Sequence, residues 1–436
     1  MAEKDNTINH RRDEEIYQIS TLVAGNFKLQ EVLNRLAEAA VRITNTTACS
    51  IRLLDETSGD LLMRSTYGLS EEYRNKGPVT KNDTVIKAAF EGQAVVLDDM
   101  RQDQRVRYPE ATIKEGLISQ LTVAMTFRDK PIGVLRLYSP EPNRFDQDAI
   151  RLARLVASQC ATAITNARLY GEALQGARMN QQMNLAAAIQ RRMIPQQAPC
   201  TCGLDIAAVY QPCFQIGGDL YDFFAIDEKS MVVAIADVIG KGVPAAIMMS
   251  MFRGAMRAYA DGGYGRHTMR EIVEKLNIMA CKECRDGEFI TLFLARIDAQ
   301  AGSITYCNCG HEPALLMRAG DVQNLGTGGM VLGVMEKAQY QTETVEFRIG
   351  DCLMLYTDGL VDAMNFEGQS WGKDKLLEVI KICTGSGCNA DQFVRSILAY
   401  RRRFVGLASQ LDDTTLVAIR RVEDDKPQEE KCSCSR

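Results

Sequence analysis

The sequence predicts an α+β chain of two globular parts joined by a helical connector, and three observations carry that prediction. Strand-like runs punctuated by turn residues fall in two separate blocks, residues 48–138 and 200–422. Helical periodicity flanks the first block on both sides. From Asp146 to Met193 only Gly171 and Gly176 interrupt helix formation, and Pro195 ends the run. At 436 residues the chain has room for two or three domains of roughly 150 residues, each burying its own core.

Composition excludes several classes. Hydrophobic residues at 46% and charged residues at 25% are ordinary for a folded chain and argue against extensive disorder. Lys and Arg number 51 against 56 Asp and Glu, a net charge of −5 without a long basic run, so nucleic acid is not an expected partner. The first residues, MAEKDNTINHRRDEE, hold no apolar signal core, from which a cytoplasmic location is expected. The most apolar stretch, residues 231–252, contains Asp237 and Lys241, so no membrane span is expected. Fourteen cysteines include three C-x-C pairs (Cys200/Cys202, Cys307/Cys309, Cys432/Cys434) and one C-x-x-C, Cys281/Cys284. With His10, His267 and His311 as the only histidines, the paired grammar of structural zinc is missing, and reduced thiols are expected.

Taken in order, residues 10–45 carry helical spacing: Ile16, Ile19, Leu22 and Val23, then Leu29, Val32, Leu33, Leu36 and Ala40. Ala48–Leu54 and Leu61–Tyr67 flank a D-E-T-S-G-D turn and predict a hairpin. Val95–Leu97 is a short apolar run. Leu121–Phe127 and Ile132–Tyr138 flank R-D-K-P and predict a second hairpin. Asp146 then caps a helix that runs past Tyr170. This unit resembles a GAF domain across residues 15–170, on its overall pattern and on P-I-G-V-L-R-L-Y (131–138) and F-D-Q-D-A-I-R-L-A-R-L-V-A-S-Q (145–159). The resemblance implies an antiparallel sheet with helices and a small-molecule ligand, although the N-K-x-x-x-F-x-x-x-D-E signature is absent. A ligand-free, purely dimerising unit stands as the alternative. Cys49, in a strand pattern, reads as core.

In the connector, Val156, Cys160, Ala163, Ala167, Tyr170 and Leu174 recur at alternating steps of three and four. That seam predicts pairing with a second copy in a parallel homodimer. The expected division is a tail over 1–14, the GAF-like domain over 15–170, a coiled-coil connector over 171–199, a second domain over 200–422 and a polar tail over 423–436.

The second domain places its acids where strands end. Gly217-Gly218-Asp219 precedes Leu220-Tyr221-Asp222, and Met231–Ala236 stops at Asp237, followed by Val238-Ile239-Gly240-Lys241-Gly242 and a helix opening with Pro244. Cys352–Tyr356 stops at Thr357-Asp358-Gly359, and Asp412-Asp413-Thr414-Thr415 opens Leu416–Ile419. Carboxylates converging there would repel, and some would stay protonated, unless divalent cations compensated them. Oxygen ligands with neither imidazole nor thiolate suit Mg²⁺ or Mn²⁺. Two such ions can hold a hydroxide between them and aim it in line at a phosphate ester.

The ordered set A-x-x-I-Q-R-R-M-I-P (186–195), G-G-D-L-Y-D-F-F, A-D-V-I-G-K-G-V-P-A-A, F-I-T-L-F-L-A-R-I-D (289–298), N-C-G-H-E-P (308–313), L-Y-T-D-G-L-V-D-A (355–363) and D-D-T-T resembles the SpoIIE/RsbU-type phosphatases. These belong to the metal-dependent PPM (2C-type) superfamily. The resemblance implies an αββα sandwich, two Mn²⁺ or Mg²⁺ ions, and hydrolysis of phosphoserine or phosphothreonine on a partner protein, in the best-known members a STAS-domain anti-sigma factor antagonist. Carried over by position, Asp219 and Asp237 match the catalytic, metal-binding aspartates, Val238 supplies a backbone carbonyl, and Asp358 and Asp412 match the later acidic ligands. Asp413 is the other candidate at the last site. Asp222 and Asp362 read as neighbours or helix caps, and Asp351 as a turn residue. His311 reads as a loop-stabilising histidine, with proton donation to the leaving alkoxide as its alternative. Two departures stand out: the histidine that eukaryotic 2C-type enzymes carry two residues after the second metal aspartate is here Ile239, and their phosphate-binding arginine has no obvious counterpart. Lys241 reads as a loop charge or regulatory contact, with phosphate attraction as the alternative. A signal detected by the GAF-like unit is expected to act through the connector. The rival is a non-catalytic, ligand-sensing scaffold with a phosphatase-like fold.

Overall fold

The computed structural model describes residues 29–263, 267–384 and 387–423. The predicted N-terminal tail, the helical spacing before Leu29, and residues 424–436 with Cys432 and Cys434 lie outside the described residues. The chain divides into two compact units, residues 1–179 and 180–436.

In the first unit, α1 (Leu29–Thr44) leads into β1 (Ala48–Leu54) and β2 (Leu61–Tyr67). Three short helices, α2 (Glu71–Arg74), α3 (Thr84–Phe90) and α4 (Pro109–Lys114), surround β3 (Val95–Leu97), and β4 (Ser119–Phe127) and β5 (Lys130–Ser139) form the second predicted hairpin. The five strands make one antiparallel sheet in the order β2-β1-β5-β4-β3. Period-two alternation sends Cys49, Ile51, Leu121, Val123, Leu135 and Leu137 to one face. There they pack with Leu33, Leu36 and Ala40 of α1 and with the start of α5 (Gln147–Met193). Leu61, Val85, Ile86, Leu97 and Tyr138 form a smaller core with Tyr73 of α2.

The long helix α5 corrects one expectation. Val156, Cys160 and Ala163, read as half of a seam between two copies, are buried in their own unit's core. An apolar stripe of this spacing is what a helix needs to lie on its own sheet as much as on a twin, so periodicity alone does not name the partner. Of that seam, Tyr170 and Leu174 remain exposed, at 48% and 43%. Gly171 and Gly176 sit inside the unbroken helix.

The second unit begins with β6 (Leu204–Gln211), β7 (Leu220–Ala225) and β8 (Ser230–Val238), followed by α6 (Val243–Gly263) and α7 (Met269–Glu283). Then come β9 (Ile290–Asp298), β10 (Ser303–Cys309), β11 (Ala314–Arg318), β12 (Asp321–Leu325), β13 (Gly328–Gly329), β14 (Glu343–Glu346) and β15 (Cys352–Tyr356). Helices α8 (Gly372–Thr384) and α9 (Ala390–Val405) precede β16 (Thr414–Arg421). One sheet runs β13-β10-β9-β8-β7, with β14 also on β10, and the other runs β12-β11-β15-β16-β6. Strand β8 explains the stacking. Met231, Val233 and Ile235 face Leu353, Leu355, Val417 and Ile419 of the other sheet, while Val232, Ala234 and Ala236 pack under Met249, Phe252, Ile272 and Leu276 of α6 and α7. A strand buried on both faces has to be apolar throughout, which is why 231–236 reads as one unbroken run. On the far side α8 and α9 cover the second sheet through Leu376, Ile380, Phe393 and Ile397. The result is the four-layered αββα sandwich that the resemblance implies. Capping boxes at Thr268/Glu271 and Asn389/Gln392 start α7 and α9.

Among the described residues no helix is long and apolar enough to cross a membrane. Among the described residues Cys49, Cys160, Cys307, Cys309 and Cys352 are buried. Cys307 and Cys309 are two residues apart on β10 and share one face of the sheet.

Candidate active site

Four strand ends, two from each sheet, bring the predicted acids together. β7 and β8 are antiparallel with Leu220 opposite Ala236, which makes Asp219 and Asp237 the next facing pair. In the other sheet Tyr356 faces Leu416, so the flanking Thr357 and Thr415 meet, and the Thr357 amide donates to the Thr415 carbonyl at 3.1 Å. Both threonine hydroxyls then reach across to the first sheet. They donate to Asp219 Oδ2 at 2.7 Å and 2.6 Å. Asp219 is thereby a tie between the two sheets, with only 1% of its surface exposed.

The electrostatics follows from this placement. Burial, and then the Asp237 charge, raises the Asp219 carboxyl well above the usual carboxylate range, against the two threonine hydrogen bonds that favour its anion. Asp237 is pushed up to about 7, first by burial and then by Asp358, with Asp412 and Asp413 adding to it. Asp358, on the 3₁₀ turn Asp358–Leu360, is raised by burial and by Asp412 and Asp362. Asp237 links the two sheets' acids: its charge acts on Asp219, and it is itself acted on by Asp358, Asp412 and Asp413.

Asp412 and Asp413 divide their labour in a way that the D-D pair in the sequence leaves open. Asp413 is buried, and its two oxygens accept from the backbone amides of Cys213 at 2.8 Å and Gly218 at 2.7 Å. It straps down the loop that presents Asp219. Asp412 is more open: its Oδ2 lies 2.8 Å from Lys241 Nζ, and Lys241 also donates to the Leu411 carbonyl. Close packing explains the paired glycines before Asp219. A Cβ at Gly217 would stand 2.1 Å from Asp413 Oδ2, and one at Gly218 would stand 2.8 Å from the Val238 carbonyl oxygen. Only a hydrogen fits at either place.

Sequence reasoning passed over three supports. Thr357 and Thr415 sit beside acids at strand ends, which was the available signal. Gln190, within the quoted 186–195 motif, clasps the backbone of Gly217. Its Nε2 donates to the carbonyl at 2.7 Å and its Oε1 accepts from the amide at 3.1 Å. The last turns of α5 are therefore hydrogen-bonded to the loop that carries Asp219.

Asp222, Asp351 and His311 serve the fold, and Asp362 lies at the cluster's edge, where its charge acts on Asp358. Asp222, in the body of β7, is fully buried and accepts two hydrogen bonds from Arg257, with Arg253 Nε 3.0 Å away. It is a neutralised anchor between β7 and α6. Asp351 holds a turn through Arg318 and the Arg348 amide. Asp362 is exposed just past the 3₁₀ turn. His311 is buried between Thr291, whose hydroxyl is 2.8 Å from Nδ1, and Asn308, which bonds its backbone from both sides. Burial lowers its pKa to about 4, so at neutral pH the ring carries no extra proton to give away. Its loop-stabilising reading fits these contacts.

Among the described residues no three acidic, imidazole or thiol groups already enclose a single point as a ligand shell. The donor chemistry nonetheless fits hard divalent cations: oxygen donors only, pushed toward protonation by burial and by one another's charge.

Comparison with known proteins supplies the family and the fold. Residues 227–422 match the family "Stage II sporulation protein E (SpoIIE)" and residues 28–165 match "GAF domain". Phosphoserine phosphatase RsbU of Bacillus subtilis (strain 168) is 31% identical over 244 residues, which span 55% of this chain and 70% of RsbU. Phosphoserine phosphatase RsbP of the same organism is 27% identical over 183 residues, 42% of this chain and 45% of RsbP. The solved SiaA-PP2C domain of Pseudomonas aeruginosa shares the fold at a TM-score of 0.51 and 19% identity, covering 56% of this chain and 98% of that domain. Facing sheets between helix pairs are the fold of that PP2C domain, and the kinship with RsbU and the SpoIIE family makes the chain a PPM-type phosphatase. Within that class the chain belongs to the SpoIIE family, with a GAF domain preceding its catalytic domain.

Proposed function

We propose that the chain removes phosphate from phosphoserine or phosphothreonine on a partner protein, a STAS-domain anti-sigma factor antagonist in the cytoplasm, under control of its GAF domain. In this reading Asp219, Asp237, the Val238 carbonyl, Asp358 and Asp412 hold two Mn²⁺ or Mg²⁺ ions, and Asp413 acts as the strap rather than a ligand. The observation that carries it is the convergence of acids from four separate strand ends, with Asp219 tied across the two sheets by Thr357 and Thr415. When bound, such ions supply positive charge against the phosphoryl oxygens and acidify a water for attack. The chain's own residues do the rest. The two threonine hydroxyls hold Asp219 in one orientation and favour its anionic form. Gln190, 27 residues before the loop, and Asp413, 195 residues after it, both fix the backbone ahead of Asp219. Lys241, paired with Asp412, keeps a cation at the edge of the cluster.

Beside the acids, Ile239, Val243 and Leu411 are exposed, an apolar rim that suits a folded protein substrate better than a small phosphate ester. Regulation follows from Gln190: a shift of α5 pulls on the backbone that positions Asp219, a change between two packings worth a few kcal/mol. The domain division at 170/171 and 199/200 and a homodimer formed through the exposed Tyr170 and Leu174 belong to the same reading. The test is Mn²⁺-dependent hydrolysis of para-nitrophenyl phosphate and of a phosphorylated STAS-domain protein by the full chain. Turnover of both, abolished by Asp237→Ala, supports the proposal. Metal-dependent turnover of the small ester with the phosphoprotein left untouched would reject the substrate while keeping the chemistry.

A further inference from the structure

The buried stripe of α9, made of Ala390, Phe393, Val394 and Ile397, ends on a charged residue. Arg401 takes the next position of that spacing and is 9% exposed. Burial lowers its pKa with no carboxylate acting against that, and its Nε has no hydrogen-bond partner. Asp222 shows how this domain neutralises a buried charge that serves as an anchor. Arg401 is not neutralised in that way.

Its Nη2 amino group meets two neutral acceptors instead. It donates to the Gly359 carbonyl at 3.1 Å and to the Thr414 hydroxyl oxygen at 3.1 Å, and that hydroxyl donates to the same carbonyl at 3.2 Å. Each acceptor stands near a proposed ligand. Gly359 follows Asp358 on the 3₁₀ turn, and Thr414 lies two residues after Asp412 at the start of β16. The two segments are in close contact, since a Cβ at Gly359 would stand 1.8 Å from the Asp413 carbonyl oxygen. Gln410 holds the second segment as well, donating through Nε2 to the Asp412 carbonyl at 2.7 Å and to the Gln211 carbonyl at 2.8 Å.

The acids carried by these segments repel, the Asp412 charge being one of those that raise Asp358. Taking a guanidinium out of water without a counter-ion is unfavourable. What the arrangement provides is geometry rather than charge balance: two hydrogens on one planar nitrogen fix two backbone segments at a set spacing. We propose that Arg401 is a positioning residue for the acids of the second sheet, holding the backbone of Asp358 and Asp412 at one spacing before any cation arrives. The inference rests on the reading of those two acids as metal ligands. Lysine is no substitute, because its ammonium is a point charge without the planar fork.

The test is calorimetric Mn²⁺ titration of the metal-free full chain, with urea unfolding in chelator and turnover of para-nitrophenyl phosphate measured alongside. Arg401→Met should weaken Mn²⁺ binding at least tenfold and raise the Mn²⁺ concentration for half-maximal activity by the same factor. Saturating Mn²⁺ should restore most of the wild-type kcat. The urea midpoint in chelator should be no lower than that of wild type, because the buried charge is gone and Thr414 still bonds Gly359. Arg401→Lys should bind Mn²⁺ as weakly as Arg401→Met. Arg395→Gln, in an exposed ion pair on the same helix, should bind it as tightly as wild type. Wild-type affinity in Arg401→Met or Arg401→Lys would overturn the proposal. So would weaker binding joined to earlier unfolding in chelator, or a kcat that added Mn²⁺ leaves low, since either marks a structural residue. Should Arg401→Met fail to fold, Thr414→Val decides: it removes the hydroxyl between the two segments, severalfold weaker Mn²⁺ binding is expected, and wild-type affinity is the contrary result. Asp358→Asn and Asp412→Asn keep the two claims apart. Wild-type affinity in both rejects the ligand reading itself, whereas weakened binding in both with wild-type affinity in Arg401→Met rejects the role of Arg401 alone.

Discussion

At its strand ends the catalytic domain gathers buried carboxylates that raise one another's pKa. In the body of β7 the same domain buries charge differently: Asp222 is as deep as any of these groups and is neutralised by arginines from α6. The contrast between compensated and uncompensated burial separates anchor from site. An anchor stabilises the fold as it stands, whereas a like-charged cluster waits for a ligand of opposite sign. Removing one member should therefore have opposite consequences in the two cases.

The largest expected effect sharpens that contrast. Asp237→Ala should lower kcat/KM for a phosphorylated substrate by a thousandfold or more, roughly 4 kcal/mol of transition-state stabilisation. It should leave the metal-free protein at least as stable as wild type, because a repelling charge has gone. Activity assays paired with thermal unfolding in chelator check both halves. Asp222→Asn should do the reverse. Stranding Arg253 and Arg257 beside a neutral side chain should cost roughly 3 kcal/mol in urea unfolding, with the loss appearing first as instability. Equal destabilisation by both variants would break the comparison.

A smaller effect lies in the pH dependence of the metal-free protein. Asp237 has a folded pKa of about 7, above its unfolded value near 3.9, so the stability it contributes is present below pH 4 and is lost as pH rises through 7. The size is on the order of 4 kcal/mol. His311 works oppositely, because its folded pKa of about 4 lies below the unfolded value near 6.5 and its contribution is lost as pH falls across that interval. The quantity to measure is therefore the difference between wild type and Asp237→Asn across pH 4–8, which cancels His311. Convergence of the two curves at low pH, and separation in favour of the variant above pH 7, is the expected outcome. The smallest effect belongs to Thr415→Val, which removes one hydrogen bond to Asp219. A loss of about 1–2 kcal/mol should appear as a several-fold rise in the Mn²⁺ concentration needed for half-maximal activity.

Much of this was legible before any coordinates. Apolar runs ending in Asp beside Gly announce strands that deliver carboxylates, and 231–237 is the plainest case because β8 is buried on both faces. The choice between Asp412 and Asp413 was not legible. Which of two adjacent acids turns inward depends on where the Cys213 and Gly218 amides lie, some two hundred residues away in sequence. The seam of α5 was misassigned for a related reason, since Val156 and Cys160 satisfy a helix twin and a sheet equally well by spacing. Arg401 escaped notice because an arginine in the run Arg401-Arg402-Arg403 near the end of a helix ordinarily faces solvent, and only the packing of α9 over the 358–360 turn reverses the expectation.

One titration tests the claim beneath the catalytic account most directly. Mn²⁺ added to the metal-free full chain, followed by calorimetry in buffers of differing ionisation enthalpy, should bind at two ions per chain and release protons near pH 7, because ligation displaces the protons that burial keeps on the aspartates. Asp237→Ala should lose at least one of those ions. Absence of Mn²⁺ binding, or binding that Asp237→Ala leaves intact, would contradict the assignment of these acids as the metal centre.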